Sequence, residues 1–277
     1  MGNHMFSISD VERESGINRD TLRVWERRYG FPNPLRNERG ERVYPGEQLL
    51  RLRLIKQLQD AGMQPGKLAR LEYQQLQKLT FRQPDPALQS ADVAMLLDIL
   101  TSNFGYGLCN QLEELLGQLG LRSFLIDVVG PMNHAVGKAW FEGQIGILDE
   151  HLYAETIRTV LTVALGRLPQ GERKPRVLLT TLPGEQHGIG LLMAACMIRI
   201  EGAGVVMLGV QTPLEEIVRG AIEGSCSIVG ISCSEYMGRR TIASQLVKLR
   251  ALLPESVAIW AGGSGVGTLG FLKDRVL

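Results

Sequence analysis

The chain has 277 residues, with 30 Lys and Arg, 29 Asp and Glu, and 4 Cys. At about 150 residues per domain, that length suggests two domains or three small ones. A hydrophobic share of 44% with 21% charged residues excludes a disordered chain. No apolar run reaches the roughly 18 residues of a bilayer span, and no N-terminal stretch has the layout of a signal peptide. A cytoplasmic protein that does not enter a membrane is expected. Cys109, Cys196, Cys226 and Cys233 form no CxxC pair and read as small buried hydrophobes in a reducing compartment. Residues 1–4 read as a vector-derived remnant ahead of a native Met5. The near-neutral total hides an asymmetry. Residues 1–82 hold 15 Lys and Arg against 10 Asp and Glu, and the remainder holds 15 against 19. The front of the chain is the part suited to meet a polyanion.

Residues 6–16 predict a short helix capped near Ser7 or Ser9, followed by a turn at Gly16. Asn18 caps a second helix over Arg19–Arg28. Two short helices joined by a Gly-containing turn make a helix-turn-helix, whose second helix enters the DNA major groove. Arg19 and Arg23 share one face of that helix and Arg27 extends it, while Leu22 and Trp25 lie opposite, where they can pack on the first helix. Each Arg could read guanine or clamp phosphate. Gly30–Pro34 cannot be helical. Two extended pieces around Glu38-Arg39-Gly40 then predict a hairpin wing that carries Arg36, Arg39 and Arg42. Pro45 is expected to open a helix that runs to about Ala61, on which Arg51 and Arg53 read equally as DNA contacts or as a solvated face.

The run Thr21-Leu22-Arg23-x-Trp25-Glu26-Arg27-Arg28-Tyr29-Gly30, then Pro34-x-Arg36, Gly40-x-Arg42-x-Tyr44, then Leu54-Ile55 and Gly62, resembles the winged-helix reader of the MerR family of transcription regulators. The resemblance implies a dimer on a pseudo-palindromic double-stranded operator. It implies DNA contacts from Arg19, Arg23, Arg27, Arg28, Arg36, Arg39, Arg42 and Tyr44, with RNA polymerase as a further candidate partner. Metal-sensing members carry Cys ligands after the dimer helix. No Cys occurs between residues 1 and 108, which argues against that role.

Gln83–Pro86 predicts a linker, and from Ala87 to Leu168 apolar residues recur at three- and four-residue spacing. That pattern predicts about four helices, hence a small bundle. Trp140 falls near the end of one predicted helix, and Glu150 and His151 fall in the first turn of the next. A flat ring, a carboxylate and an imidazole at one end of an antiparallel pair would suit a large ligand with a polar substituent, although a Trp in a bundle is usually core.

After a charged linker at 171–175, continuous apolar strands alternate with helices: strands over 176–182, 205–210, 227–232 and 257–261, helices over 189–201, 214–223 and 239–252. This predicts a doubly wound parallel sheet, which binds ligands beyond its C-terminal strand ends. The fold class expected is therefore multidomain α and α/β. Its parts are a winged helix-turn-helix (5–82), a four-helix bundle (87–168) and a Rossmann-like sheet domain (175–277).

The loop after the first strand is Pro183-Gly184-Glu185-Gln186-His187-Gly188-Ile189-Gly190, not a dinucleotide fingerprint. Small residues follow the third strand (Ser232-Cys233-Ser234) and the fourth (Gly262-Gly263). Together these resemble the cobalamin-binding fold. Its Asp/Glu-x-His-x-x-Gly motif is matched by Glu185, His187 and Gly190, with Gly188 between them. Its Ser-x-Leu element is matched by Ser232, with Ser234 in place of Leu, and its Gly-Gly element by Gly262-Gly263. The resemblance implies that His187 is the lower axial cobalt ligand and that the displaced nucleotide tail lies beside the small residues. Imidazole is a good cobalt donor, and Glu185 can hold its other nitrogen.

A Trp, nine residues and then Glu-His is the upper-face motif of cobalamin-binding light-responsive regulators of the CarH/LitR type, and Trp140, Glu150 and His151 match it. That resemblance implies adenosylcobalamin as cofactor, a homo-oligomer (dimer or tetramer) and repression. Such regulators carry a His directly after the Trp, which takes the upper cobalt position after illumination. Here that residue is Phe141, which has no donor atom. His134 is two turns earlier, about 10 Å by helix rise. The alternatives are the same architecture with another ligand or a photoproduct lacking the second His, and a corrinoid methyl-carrier protein, against which the DNA reader argues. No catalytic constellation stands out. Glu113-Glu114 and Glu215-Glu216 read as solvated faces.

Overall fold

In a computed structural model of the chain, residues 5–60, 63–80, 90–102, 105–170, 173–234 and 236–266 are described. The proposed remnant at 1–4 and the linker at 83–86 lie outside them, as do Gly62 and residues 171–172. Contacts divide the chain into two units, the residues up to 86 with 137–147, and 87–136 with 148–277.

In the first unit, β1 (Met5–Ser7) leads directly into α1 (Ile8–Ser15). The strand falls where sequence reasoning expected only the start of a helix. Ser7 ends the strand and caps the helix. Its hydroxyl accepts from the Asp10 N–H at 3.2 Å, while Asp10 accepts from the Ser7 N–H at 3.0 Å. After Gly16, Asn18 caps α2 (Arg19–Tyr29) by accepting from the Asp20 N–H at 2.8 Å. Val11, Ile17, Leu22 and Trp25 are buried where the two helices meet. β2 (Leu35–Arg36) and β3 (Arg42–Pro45) form the expected wing, and β1 pairs antiparallel with the other edge of β3. Pro45 closes β3 rather than opening a helix; α3 begins one residue later (Gly46–Asp60). Its Leu49, Leu52, Leu54, Ile55 and Leu58 are all buried, so this helix meets protein on most sides. Two short helices follow, α4 (Pro65–Leu68) and α5 (Tyr73–Thr80).

The second unit opens with helices α6 (Ala91–Ser102) and α7 (Leu108–Ser123). A π-helical turn over Phe124–Val129 links α7 to α8 (Gly130–Phe141), whose residues from 137 onward count with the first unit, and α9 (Ile147–Arg167) comes last. The four predicted helices are therefore present, with two irregularities. Gly120 is non-helical within α7, and Pro131, which has no N–H, follows the π turn.

Strand β4 (Arg173–Thr181) starts inside the segment predicted as linker. It is followed by α10 (Ile189–Ile200), β5 (Ala203–Gly209), α11 (Leu214–Glu223), β6 (Ile228–Ser232), α12 (Arg239–Leu252) and β7 (Ala258–Gly262). All pairings are parallel and the order is β5-β4-β6-β7. One face packs Val177 and Leu179 against α10. The other packs Leu178, Val229 and Ile231 against α11 and α12. Burial on both faces is why these strands read as unbroken apolar runs. The order reverses beside β4, so the loop after β4 opens at the crevice where such sheets take ligands. Pairing also places the last residues of three strands in one row: Thr181 beside Ser232, and Ser232 beside Gly262.

Candidate functional site at the strand ends

The loop after β4 carries a buried carboxylate and an exposed imidazole. Glu185 is 2% exposed, whereas the His187 side chain is 55% exposed. Glu185 Oε1 accepts from the His187 N–H at 2.9 Å and from its Nδ1 at 2.6 Å. Oε2 accepts from the Ser234 N–H at 2.8 Å and its hydroxyl at 2.7 Å. Burial alone would raise this carboxyl, but the four hydrogen bonds from His187 and Ser234 outweigh it and bring it down to about 2. An ionised carboxylate only accepts, so Nδ1 carries a proton, and in the neutral ring the lone pair is then on Nε2. That orientation is the one a metal-binding imidazole requires. The Tyr236 ring stacks on the imidazole with centroids 4.6 Å apart.

The strand ends hold this loop in place. Thr181 donates to the Glu185 carbonyl at 2.7 Å and accepts from the Gln211 N–H at 2.8 Å. Thr180 pairs with the Thr212 hydroxyl at 2.7 Å. Both Thr180 and Thr181 are fully buried. Thr181 and Tyr236 belong to the site although sequence reasoning passed over them. A Thr-Thr pair ending an apolar strand was the one available signal, and nothing local marked Tyr236. Ser234, read as a Leu replacement, turns out to be a hydrogen-bonding partner of Glu185.

The small residues line narrow spaces. A Cβ on Gly190 would lie 3.3 Å from Ser232 Oγ, and one on Gly188 would lie 3.1 Å from Val210 Cγ1. At Gly263, φ is +98° and a Cβ would stand 2.3 Å from the Cys233 carbonyl oxygen, a backbone atom. Gly263→Ala is therefore expected to lower stability by more than about 2 kcal/mol, through strain and forced displacement of the Ser234 loop. A urea titration checks it; an unchanged midpoint would contradict the close approach.

On the bundle helices, Glu150 Oε2 lies 2.8 Å from His151 Nδ1, and the His151 side chain is 73% exposed. His134 is exposed on α8. Trp140 belongs to the first unit and is half-buried there. Phe141 ends α8, and its side chain lies outside the described residues.

In the reader, Arg19, Arg23, Arg27, Arg28, Arg36 and Arg39 are exposed. Arg19 pairs with Glu12 at 2.9 Å and Arg23 with Asp20 at 3.3 Å. Arg36 donates to the Gly40 carbonyl at 2.6 Å, and Arg42, half-buried, bonds Glu26 at 3.2 Å. Three expectations change. Tyr44 is wholly buried, so its ring is core and has no surface to offer DNA. Arg53 is 4% exposed, and the Arg51 guanidinium lies over the Phe31 ring at 4.2 Å and donates to the Ala69 carbonyl, so neither is a solvated face or a phosphate contact. The Tyr44 hydroxyl has no hydrogen-bond partner among the described residues. Tyr44→Phe should leave DNA binding intact and hold or raise stability by up to about 1 kcal/mol. Arg23→Ala and Arg27→Ala should each weaken operator binding by about 1–3 kcal/mol. Gel-shift titrations alongside thermal melts separate the two classes.

Three family matches coincide with these parts. Residues 6–75 match the MerR HTH family of regulatory proteins, and residues 106–165 and 175–272 each match a B12 binding domain. The chain thus joins a MerR-type HTH domain to B12 binding domains. It is 27% identical to the HTH-type transcriptional repressor CarH of Myxococcus xanthus, over 95% of this chain and 90% of that protein. It is 26% identical to the repressor CarA of the same organism, over 93% of this chain and 86% of that one. The monomethylamine corrinoid protein of Methanosarcina barkeri shares the fold, with a TM-score of 0.52 over 65% of this chain and 87% of that one, at 18% identity.

The residues fit a corrinoid. A macrocycle supplies the equatorial ligands of its own metal, so the protein needs to offer one anchored nitrogen rather than a cage. Among the described residues no group of three or more His, Cys, Asp or Glu could hold a bare ion, while His187 offers one such nitrogen beside narrow, glycine-lined spaces. No helix among the described residues is long and apolar enough to cross a membrane.

Proposed function

We propose that this MerR-family regulator takes adenosylcobalamin as its cofactor and is a light-responsive repressor, not an enzyme, acting in the cytoplasm. One observation carries the proposal: an exposed imidazole whose second nitrogen is fixed by a buried, fully hydrogen-bonded carboxylate. When bound, the cofactor would supply a cobalt centre and a light-sensitive cobalt–carbon bond. His187 would hold the cobalt, with Glu185 fixing the ring through its Nδ1 so that Nε2 is the nitrogen presented to the metal. Gly188, Gly190, Ser232, Ser234, Gly262 and Gly263 bound the space for the nucleotide tail. Trp140, Glu150 and His151 would be the residues that contact its upper group. Arg19, Arg23, Arg27, Arg28, Arg36, Arg39 and Arg42 meet a double-stranded operator, where the basic front of the chain favours binding.

In this reading the chain acts as a homo-oligomer, dimer or tetramer, whose size on DNA depends on the bound corrinoid, and it represses by blocking access of RNA polymerase. A ligand buried against the bundle presents or withdraws an assembly surface. The test loads the protein with adenosylcobalamin and compares mass and operator binding in the dark and after green light. A change in both supports the proposal; no change in either defeats the light response while leaving cobalamin binding to be scored by absorption.

A second reading rests on Phe141. A phenyl ring has no lone pair for a metal, so position 141 provides no second imidazole. The illuminated protein would then show the spectrum of a cobalamin with one His, not two. A two-His spectrum after illumination would refute it and point to another residue, with His134 and His151 the ones to replace.

A further inference from the structure

The His187 imidazole is held at one edge and covered on one face. At the edge, Nδ1–H donates to Glu185 Oε1 at 2.6 Å. A single hydrogen bond fixes that edge but not the plane of the ring, because the χ2 torsion of a histidine is soft. The side chain is more than half exposed, so general packing does little to limit its tilt. The face is covered by Tyr236, whose ring lies 4.6 Å from the imidazole between centroids, at an interplanar angle of 19°. That separation and angle are those of a favourable stacked pair.

Tyr236 is tied to the same frame as the carboxylate. Its backbone N–H donates to Ser234 Oγ at 3.3 Å, and that hydroxyl donates to Glu185 Oε2 at 2.7 Å. The next residue, Met237, is buried in one core cluster with Ile242 and Leu246 of α12. Its N–H donates to the Ser234 carbonyl at 3.3 Å. A Cβ on Gly184 would lie 3.8 Å from Met237 Cε, so this anchor also reaches the loop that carries Glu185. The lone pair of an imidazole nitrogen lies in the ring plane, so a ring stacked on the face does not obstruct Nε2.

We infer that Tyr236 is a positioning residue for His187: the phenol ring fixes the plane of the imidazole that Glu185 fixes at its edge, and the two together aim Nε2. This rests on the proposed role of His187 as the cobalt ligand. Tyr236 acts through the imidazole and not by touching the cofactor. A donor already held in its bound orientation loses less freedom on binding, which raises affinity. The aromatic face does this work, and the hydroxyl takes no part in it.

The experiment titrates the full chain with adenosylcobalamin in the dark and follows uptake and colour by absorption. Tyr236→Leu is expected to weaken uptake by about two- to tenfold, the scale of a lost aromatic pair. Its complex should shift in colour toward that of the cofactor with no base below the metal. Tyr236→Phe keeps the ring and should match the parent in both. Tyr236→Thr decides the matter if Tyr236→Leu does not fold. Adding Tyr236→Leu to His187→Ala should cost nothing further, because the group it positions is gone. Parent-like uptake and colour in Tyr236→Leu would overturn the inference, as would an equal loss in Tyr236→Phe or an undiminished loss on top of His187→Ala. In all three cases the ligand role of His187 stands. If His187→Ala alone binds and colours like the parent, that role falls and the positioning role falls with it.

Discussion

His187→Ala is expected to lower cobalamin affinity by about 100-fold or more and to change the colour of the complex to that of a corrinoid without a protein nitrogen below the metal. Loss of a partner that merely orients a metal ligand already costs 10–100-fold, so removing the ligand sets at least the upper end of that range. The variant should still fold. Glu185 loses only the Nδ1 bond and keeps three donors, the backbone N–H of residue 187 and the N–H and hydroxyl of Ser234. His187 is itself more than half exposed, so no core volume is emptied. Titration with the cofactor, followed by absorption, separates ligation from folding. Unchanged uptake and colour would remove His187 as the lower ligand and with it the main support for the proposed function.

Glu185→Gln attacks the same geometry from beneath and should have a second consequence that His187→Ala lacks. A Gln has one acceptor oxygen, so its amide N–H group must face at least one donor from His187 or Ser234 in a buried site. An expected loss of about 2–3 kcal/mol in stability follows, with a 10–100-fold loss of cobalamin affinity as the imidazole loses its fixed orientation. The pH dependence identifies the cause. The Glu185 carboxyl lies near 2 in the folded chain against 4.5 for an ordinary Glu. A depressed carboxyl stabilises fully above about pH 4.5, and the contribution is lost as pH falls towards 2. At about 1.4 kcal/mol per unit, as much as about 3 kcal/mol is at stake. Stability measured by denaturant between pH 5 and pH 2.5 should fall in the parent and fall less steeply in Glu185→Gln. His187→Ala, which leaves three of the four hydrogen bonds, should keep most of the slope. Parallel slopes in parent and Glu185→Gln would show that this carboxylate does not carry the acid limb.

Much of the protein is determined over short stretches of chain. Ser7 and Asn18 cap their helices through atoms two or three residues away, and apolar spacing marks the bundle helices and the sheet strands. Cofactor and DNA-reader motifs are likewise local in sequence, because a loop that must present one imidazole needs fixed spacing between Glu185 and His187. Tertiary structure decided what depends on distant partners. Ser234 and Tyr236 reach the Glu185–His187 loop only because β6 pairs beside β4, which places Ser232 level with Thr181. Tyr44 and Arg53 look like surface residues of a basic reader, yet both are buried, the first on β3 and the second against Glu14 and Trp140. Helix caps and apolar periodicity act through neighbours three or four residues apart and so leave a pattern in the sequence. Burial of a charge and convergence on a site are set by pairing register and packing between segments tens of residues apart, which leaves none.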